Sequence, residues 1–276
     1  MVRWQTFVAI FLPSVVESVC TMFFVLIGCS STISWPQEET GPNLASISLC
    51  FGLSYAFLVN ISNCFSNGFI NPAITMALVV NKTLSVTRGF CFILAHLVGA
   101  VIGAGLLYLI VPYESHGLLG VSHMKSVAPL VGFGVELLTS LVVMLTVLTC
   151  TDGGERALDT SASLVIGAAV TACHLFAYPV SGCGINPARS FGPAVVMNYW
   201  TDHWVYWFGS IIGALFASGI YHVAQNFPVT TEDELVITGK EIKNEAKSQG
   251  FELEGPQHPS QADMQTQTPY ELKTTV

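Results

Sequence analysis

Charge is scarce in this chain. Only 10% of its 276 residues are charged and 51% are hydrophobic, whereas a soluble domain carries about 25% charged residues. An ordinary wet surface cannot be built from so little charge. Residues 1–226 hold six of the ten Lys and Arg and nine of the eighteen Asp and Glu, so the net charge of −8 comes mostly from the last fifty residues. That balance gives no basic face for nucleic acid. Other patterns are missing too. No CxxC or Cys/His metal spacing occurs, and no Ser/His/Asp, HExxH, GxGxxG or Walker pattern falls on an accessible segment. A metal site, a cofactor site and an enzyme therefore have no residues to rest on. The eight cysteines (20, 29, 50, 64, 91, 150, 173, 183) are scattered through apolar runs and read as small buried hydrophobes, Cys183 excepted. A chain of this length needs no disulfide framework. Met1 to Ile33 lacks a signal peptide's basic start beyond Arg3 and contains Glu17, so it reads as a first membrane span that stays.

Long apolar runs are what the chain has instead. A membrane-crossing helix takes about 20 mostly apolar residues, and six stretches qualify: 7–33, 44–64, 89–111, 128–150, 161–179 and 204–226. Two further pieces, 71–80 and 187–198, are too short to span. Each opens at an Asn-Pro pair, with Asn suited to the N-cap and Pro to the first helical position. The expectation is an all-α membrane protein with six transmembrane helices and two re-entrant half-helices in a channel domain over 1–226, followed by a cytoplasmic tail over 227–276. Placing both termini in the cytoplasm puts Arg3, Lys82, Arg88, Arg156 and the four tail lysines inside, and only Lys125, with Arg189 if it lines a pore, outside. The glycosylation sequon Asn81-Lys82-Thr83 would then go unused.

The chain also repeats itself. Gly68–Thr75 reads GFINPAIT and Gly184–Phe191 reads GINPARSF; Asn71 and Asn186 stand 115 positions apart (186 − 71). At the same offset Gly52 meets Gly167, and one acid, Glu17 or Glu136, lies in the first span of each half. The halves run over about 7–111 and 128–226. Three crossings per half invert the second copy against the first, and paired Pro-interrupted segments in such repeats point to a midplane site. Small residues at Gly52 and Gly167, at Gly99 and Gly103, and at Gly209 and Gly213 let spans approach closely. If the half-helices enter from opposite faces, Asn71 and Asn186 sit at positive dipole ends and donate into a narrow lumen. A neutral, donor-lined centre of this kind suits water and repels cations and protons. The chain before each half-helix, Asn67-Gly68-Phe69-Ile70 and Gly182-Cys183-Gly184-Ile185, reads as extended backbone offering carbonyls to the lumen, tolerable at membrane depth only beside water.

On these motifs the sequence, from about residue 7 to 226, resembles the aquaporins of the major intrinsic protein family, in its water-selective branch. The resemblance implies the aquaporin fold and NPA motifs at Asn71/Pro72/Ala73 and Asn186/Pro187/Ala188. It also implies an outer constriction of Phe51, His174, Cys183 and Arg189, with the Cys183 thiol as the site of mercurial block. Glu17 and Glu136 would brace the pore loops, and a homotetramer in the plasma membrane would be the assembly. An arginine at a span centre costs about 2.5–3.5 kcal/mol by insertion scales, so Arg189 should face a lumen or a carbonyl cage. Glycerol facilitators carry small residues where His174 stands and Asp where Ser190 stands, while Ala194, Tyr206 and Trp207 resemble the water-type set. Two positions depart from the family's usual Gly and His: Asn67 and Phe69. Phe69 places an apolar wall on the inner side, expected to reduce or alter water permeability. His96 stands where Gln is usual, read as a packing substitution with a titrating site as the alternative.

The tail is polar and acidic, typical of disorder, with a short helix conceivable over 232–247. It ends Thr274-Thr275-Val276, which fits a PDZ-type carboxylate-capture ligand. The reading is a passive water channel needing no cofactor. Its alternatives are a broader pore for glycerol, urea or ammonia, a coupled transporter, for which only Glu17 and Glu136 are candidate ion ligands, and a junctional membrane protein of low permeability.

Overall fold

A computed structural model describes residues 2–35, 41–66, 68–151 and 160–226. The expectations for Asn67, for the 232–247 helix and for Thr274–Val276 lie outside the described residues. Those described form α1 (Val2–Ser30), α2 (Leu44–Asn63), α3 (Pro72–Val80), α4 (Val86–Ile110), α5 (Pro129–Thr151), α6 (Thr160–Ser181), α7 (Pro187–Met197) and α8 (Trp204–Gln225), with one 3₁₀ turn at Tyr113–Ser115. Among the described residues six helices are long and apolar enough to cross a membrane, and α3 and α7 are the two short ones. The chain is an integral, multi-pass membrane protein.

Several span ends differ from the sequence reading, α4 for instance beginning at Val86 rather than residue 89. Helix α1 stops at Ser30 rather than Ile33, because the hydroxyls of Ser30, Ser31 and Thr32 donate back to the carbonyls of Ile27 (2.8 Å), Gly28 (2.6 Å) and Cys29 (2.8 Å). Those carbonyls belong to the helix's last turn, where the regular helical amide partners run out, and Cys29 O also takes the Thr32 amide at 3.0 Å. Helix α6 runs past Pro179 to Ser181, where the sequence suggested a stop. The amide of Gly182 still reaches the Tyr178 carbonyl at 3.1 Å, so the last turn closes beyond the proline.

Packing follows the repeat. α1 lies on α4, α5 lies on α8 in the same manner, and α2 meets α6 across the centre. At that crossing a Cβ on Gly52 or Gly167 would lie 2.5 Å from the other glycine's carbonyl oxygen, so the two backbones touch only because neither residue has a side chain. Gly99 and Gly103 abut the α1 backbone at Ser18 and Met22, and Gly213 abuts α5 at Leu137. Each half-helix then crosses over: α3 packs mainly on α8 and α7 mainly on α4. Burial is arranged for lipid, with Phe11, Leu53, Leu138, Phe176 and Phe208 exposed on the outside while Glu17, His96, Glu136, His174 and Arg189 are buried within.

Candidate functional site

The half-helices meet at their N-termini in the middle of the bundle. Asn71 caps α3 by accepting from the Ala73 amide at 2.9 Å, and Asn186 caps α7 by accepting from Ala188 (3.0 Å) and Arg189 (3.3 Å). Each side-chain oxygen is thus turned to its own helix, and each amide nitrogen points across. Asn71 Nδ2 donates to the Ile185 carbonyl at 3.2 Å and Asn186 Nδ2 donates to the Ile70 carbonyl at 2.8 Å. One amide hydrogen on each asparagine remains for something else.

The chain before each helix is not extended, contrary to the sequence reading. Gly68 and Ile70, and Gly182, Cys183 and Ile185, all have positive φ (51° to 77°). Left-handed backbone is costly for a β-branched residue such as isoleucine, and here it is held by buried carboxylates. Glu17 accepts from the amides of Phe69 (3.1 Å) and Ile70 (2.8 Å), from Ser62 (3.2 Å) and Ser66 (2.6 Å), and pairs with His96 Nε2 at 2.8 Å. Glu136 accepts from the amides of Gly184 (2.8 Å) and Ile185 (2.6 Å) and from Ser181 (2.5 Å). His96 is therefore a polar partner of Glu17 rather than simple packing. Several loop carbonyls are also spoken for, since Phe69 O takes the Tyr55 hydroxyl (2.9 Å) and Ile70 O and Ile185 O take the asparagines.

Two small cavities flank the asparagine junction. One is bounded by Phe24, Val143, Val170 and His174 together with both asparagines; the other by Tyr55, Val59, Phe69, Ile74 and Ile166. Beyond the first lie the four residues expected at the constriction. Phe51 and His174 stack with ring centroids 4.4 Å apart, and the Arg189 guanidinium sits 4.7 Å from the Phe51 ring centroid. His174 Nδ1 is 2.9 Å from the Val170 carbonyl, which requires the proton on that nitrogen and leaves Nε2 an acceptor with no protein partner. Arg189 is 1% exposed; its Nη1 donates to the Gly120 carbonyl at 2.6 Å and its Nε has no partner. Cys183 is fully buried, its sulfur 3.5 Å from the Cys173 carbonyl. Phe69 packs at 6.0 Å from Phe92, on the opposite side of the junction.

Several contributors were not anticipated. Gly120, which anchors Arg189, and Ser122, whose hydroxyl meets that of Ser190 at 2.9 Å, sit in the irregular connection between α4 and α5, where no periodicity points inward. Ser66 and Ser181, which donate to Glu17 and Glu136, were not anticipated either, although the 115-residue offset they share with the asparagines is a signal that could have found them.

Comparison with known proteins agrees with this geometry. Residues 5–221 match the major intrinsic protein family, and the chain belongs to that family. It is 41% identical over 208 residues to aquaporin-4 of Mus musculus, covering 74% of this chain and 64% of that protein. It is 39% identical over 216 residues to aquaporin-5 of Mus musculus, covering 78% and 81%. The chain thus spans a little under two thirds of the length of its aquaporin-4 relatives. Among solved structures, the aquaglyceroporin from Plasmodium falciparum superposes with a TM-score of 0.68 at 18% identity, over 75% of this chain and 93% of that one, which speaks to the fold alone.

Proposed function

We propose that this protein is a passive water channel driven by osmotic gradients. The observation that carries the reading is the reciprocal junction of Asn71 and Asn186, which fixes two amide donors side by side at the positive ends of two opposed half-helices. A water molecule there accepts from both amides, so its own hydrogens point outward along the file and cannot relay a proton through the centre. Apolar walls at Val143, Val170, Ile74 and Ile166 leave water few other partners, which keeps passage fast. At the constriction, His174 Nε2 offers an acceptor, Arg189 offers donors and a fixed positive charge, and Phe51 closes the remaining wall. The bulk of the stacked His174–Phe51 pair favours water over glycerol, and the aquaporin-4 and aquaporin-5 relatives point the same way. Phe69, half-buried beside Phe92, forms an apolar inner constriction that lowers the rate. Both termini lie in the cytoplasm, the membrane is the plasma membrane, four copies assemble, and Thr274-Thr275-Val276 serves as a PDZ ligand; the supports are the Lys/Arg asymmetry, family resemblance and the terminal residues.

The test is osmotic shrinkage of proteoliposomes by stopped flow, with glycerol, urea and ammonia uptake in parallel. Fast shrinkage that mercurials block, and that Cys183→Ser protects, is the expected result. Shrinkage no faster than in empty vesicles sinks the reading, and glycerol entry at a comparable rate replaces it with a broader pore.

A further inference from the structure

One cation near the constriction has no part in the account above. Lys125 lies in the α4–α5 connection, where its amide donates to the Val180 carbonyl at 2.9 Å and its ammonium stands 4.3 Å from the Tyr178 ring centroid. Both contacts are on the last turns of α6. Tyr178 follows His174 by four residues, one helical turn of about 5.4 Å further along the same face. Lys125 and Tyr178 line a cavity of about 360 Å³, together with Gly120, the residue whose carbonyl holds Arg189. Burial first, and the charge of Arg189 second, lower the Lys125 ammonium from its ordinary range, so the two cations act on one another. The same cavity is lined by Glu114, His116 and His123; His116 Nε2 and His123 Nδ1 each sit within 3.1 Å of a backbone carbonyl.

We infer that Lys125, held on Tyr178, is a second fixed cation in the cavity that shares Gly120 with Arg189, where it outweighs the exposed Glu114 at the pore mouth, repels cationic solutes before the constriction and draws anions in. A lysine on a flexible stem would otherwise swing into solvent and be screened; the Val180 contact fixes its backbone and the aromatic face of Tyr178 keeps its charge at the mouth. The role deepens the channel reading and rests on it, since a vestibule matters only if something passes.

The charge is measurable without any flux. In purified full-length protein carrying Ser34→Cys, an exposed position lining the same cavity, the introduced thiol is modified with an anionic or a cationic methanethiosulfonate and read by peptide mass spectrometry at pH 7. The anionic-to-cationic rate ratio is expected to fall about fivefold on Lys125→Met, the effect of removing one unit charge at vestibule distances in water. Lys125→Arg should keep the ratio, and high salt should erase the difference. An unchanged ratio in Lys125→Met overturns the inference, as does a fall of equal size in Lys125→Arg. Water permeability of the Ser34→Cys parent is measured separately. If it is absent, the channel reading fails while the rate ratio still decides the charge of the vestibule.

Discussion

In the first half of the molecule Glu17 gathers five donors; in the second, Glu136 gathers three. The paired serine and two successive loop amides are common to both. The extra donors of the first half are Ser62 and His96, and the position matching His96 can be read from the glycine contacts. Gly99 abuts Ser18, the residue after Glu17, and Gly213 abuts Leu137, the residue after Glu136. Three residues before those glycines stand His96 and Ser210, and Ser210 is buried with its hydroxyl unpartnered. The second loop has other ties instead: the Cys183 amide donates to the Ser181 hydroxyl at 3.2 Å and the Ser140 hydroxyl donates to the Ile185 carbonyl at 3.3 Å. Phe69 and Gly184 form another unequal pair at the 115-residue offset. Phe69 borders a cavity, whereas a Cβ on Gly184 would lie 2.5 Å from Tyr206 and 2.7 Å from Ser190. Duplicated backbone geometry can therefore be held by unequal side-chain sets, provided each loop amide finds an acceptor.

The comparison breaks most severely at the acids. Glu17→Leu strands two loop amides, two hydroxyls and His96 inside the bundle, and should destabilise the protein by at least about 3 kcal/mol, with Glu136→Leu smaller because it strands fewer groups. Thermal unfolding in detergent reads both; equal losses would mean that His96 and Ser62 contribute nothing to the first loop. A finer cut compares His96→Leu with Ser210→Ala. The first removes a hydrogen bond to a buried carboxylate, worth about 1.5–3 kcal/mol. The second removes a hydroxyl that satisfies nothing and should stay within about 0.5 kcal/mol of the parent. Phe69→His is read in flux rather than stability: a polar partner for water worth about 1 kcal/mol of barrier would raise permeability per channel about fivefold. Stopped-flow shrinkage at matched protein density measures it, and no change would remove Phe69 from the inner constriction.

Much of this was legible because it is repeated. The two asparagines, the glycines at positions 52 and 167 and the acids of the first spans announce themselves by offset and by polarity in apolar surroundings, and the structure brings all of them to the bundle centre. What could not be read was conformation and long-range anchoring. Ile70 and Ile185 carry side chains that disfavour positive φ, so sequence logic made their segments extended; the geometry exists only because distant carboxylates and the opposite asparagine impose it. Gly120 is 69 positions from Arg189 and sits in a connection with no pattern, so its contact leaves no trace in local composition. His96 reads as packing until Glu17, 79 positions earlier, is known to face it.

The exchange of amide and carbonyl between residues 70–71 and 185–186 has a consequence for biogenesis. While the chain emerges from the ribosome, Asn71 must wait for more than a hundred further residues before its partner exists, and until then its loop dangles an unanswered donor and a bare carbonyl in the membrane interior. The front portion of this protein cannot ripen on its own, so an arrest or truncation anywhere before Ile185 should leave a species that quality-control machinery recognises as unfinished.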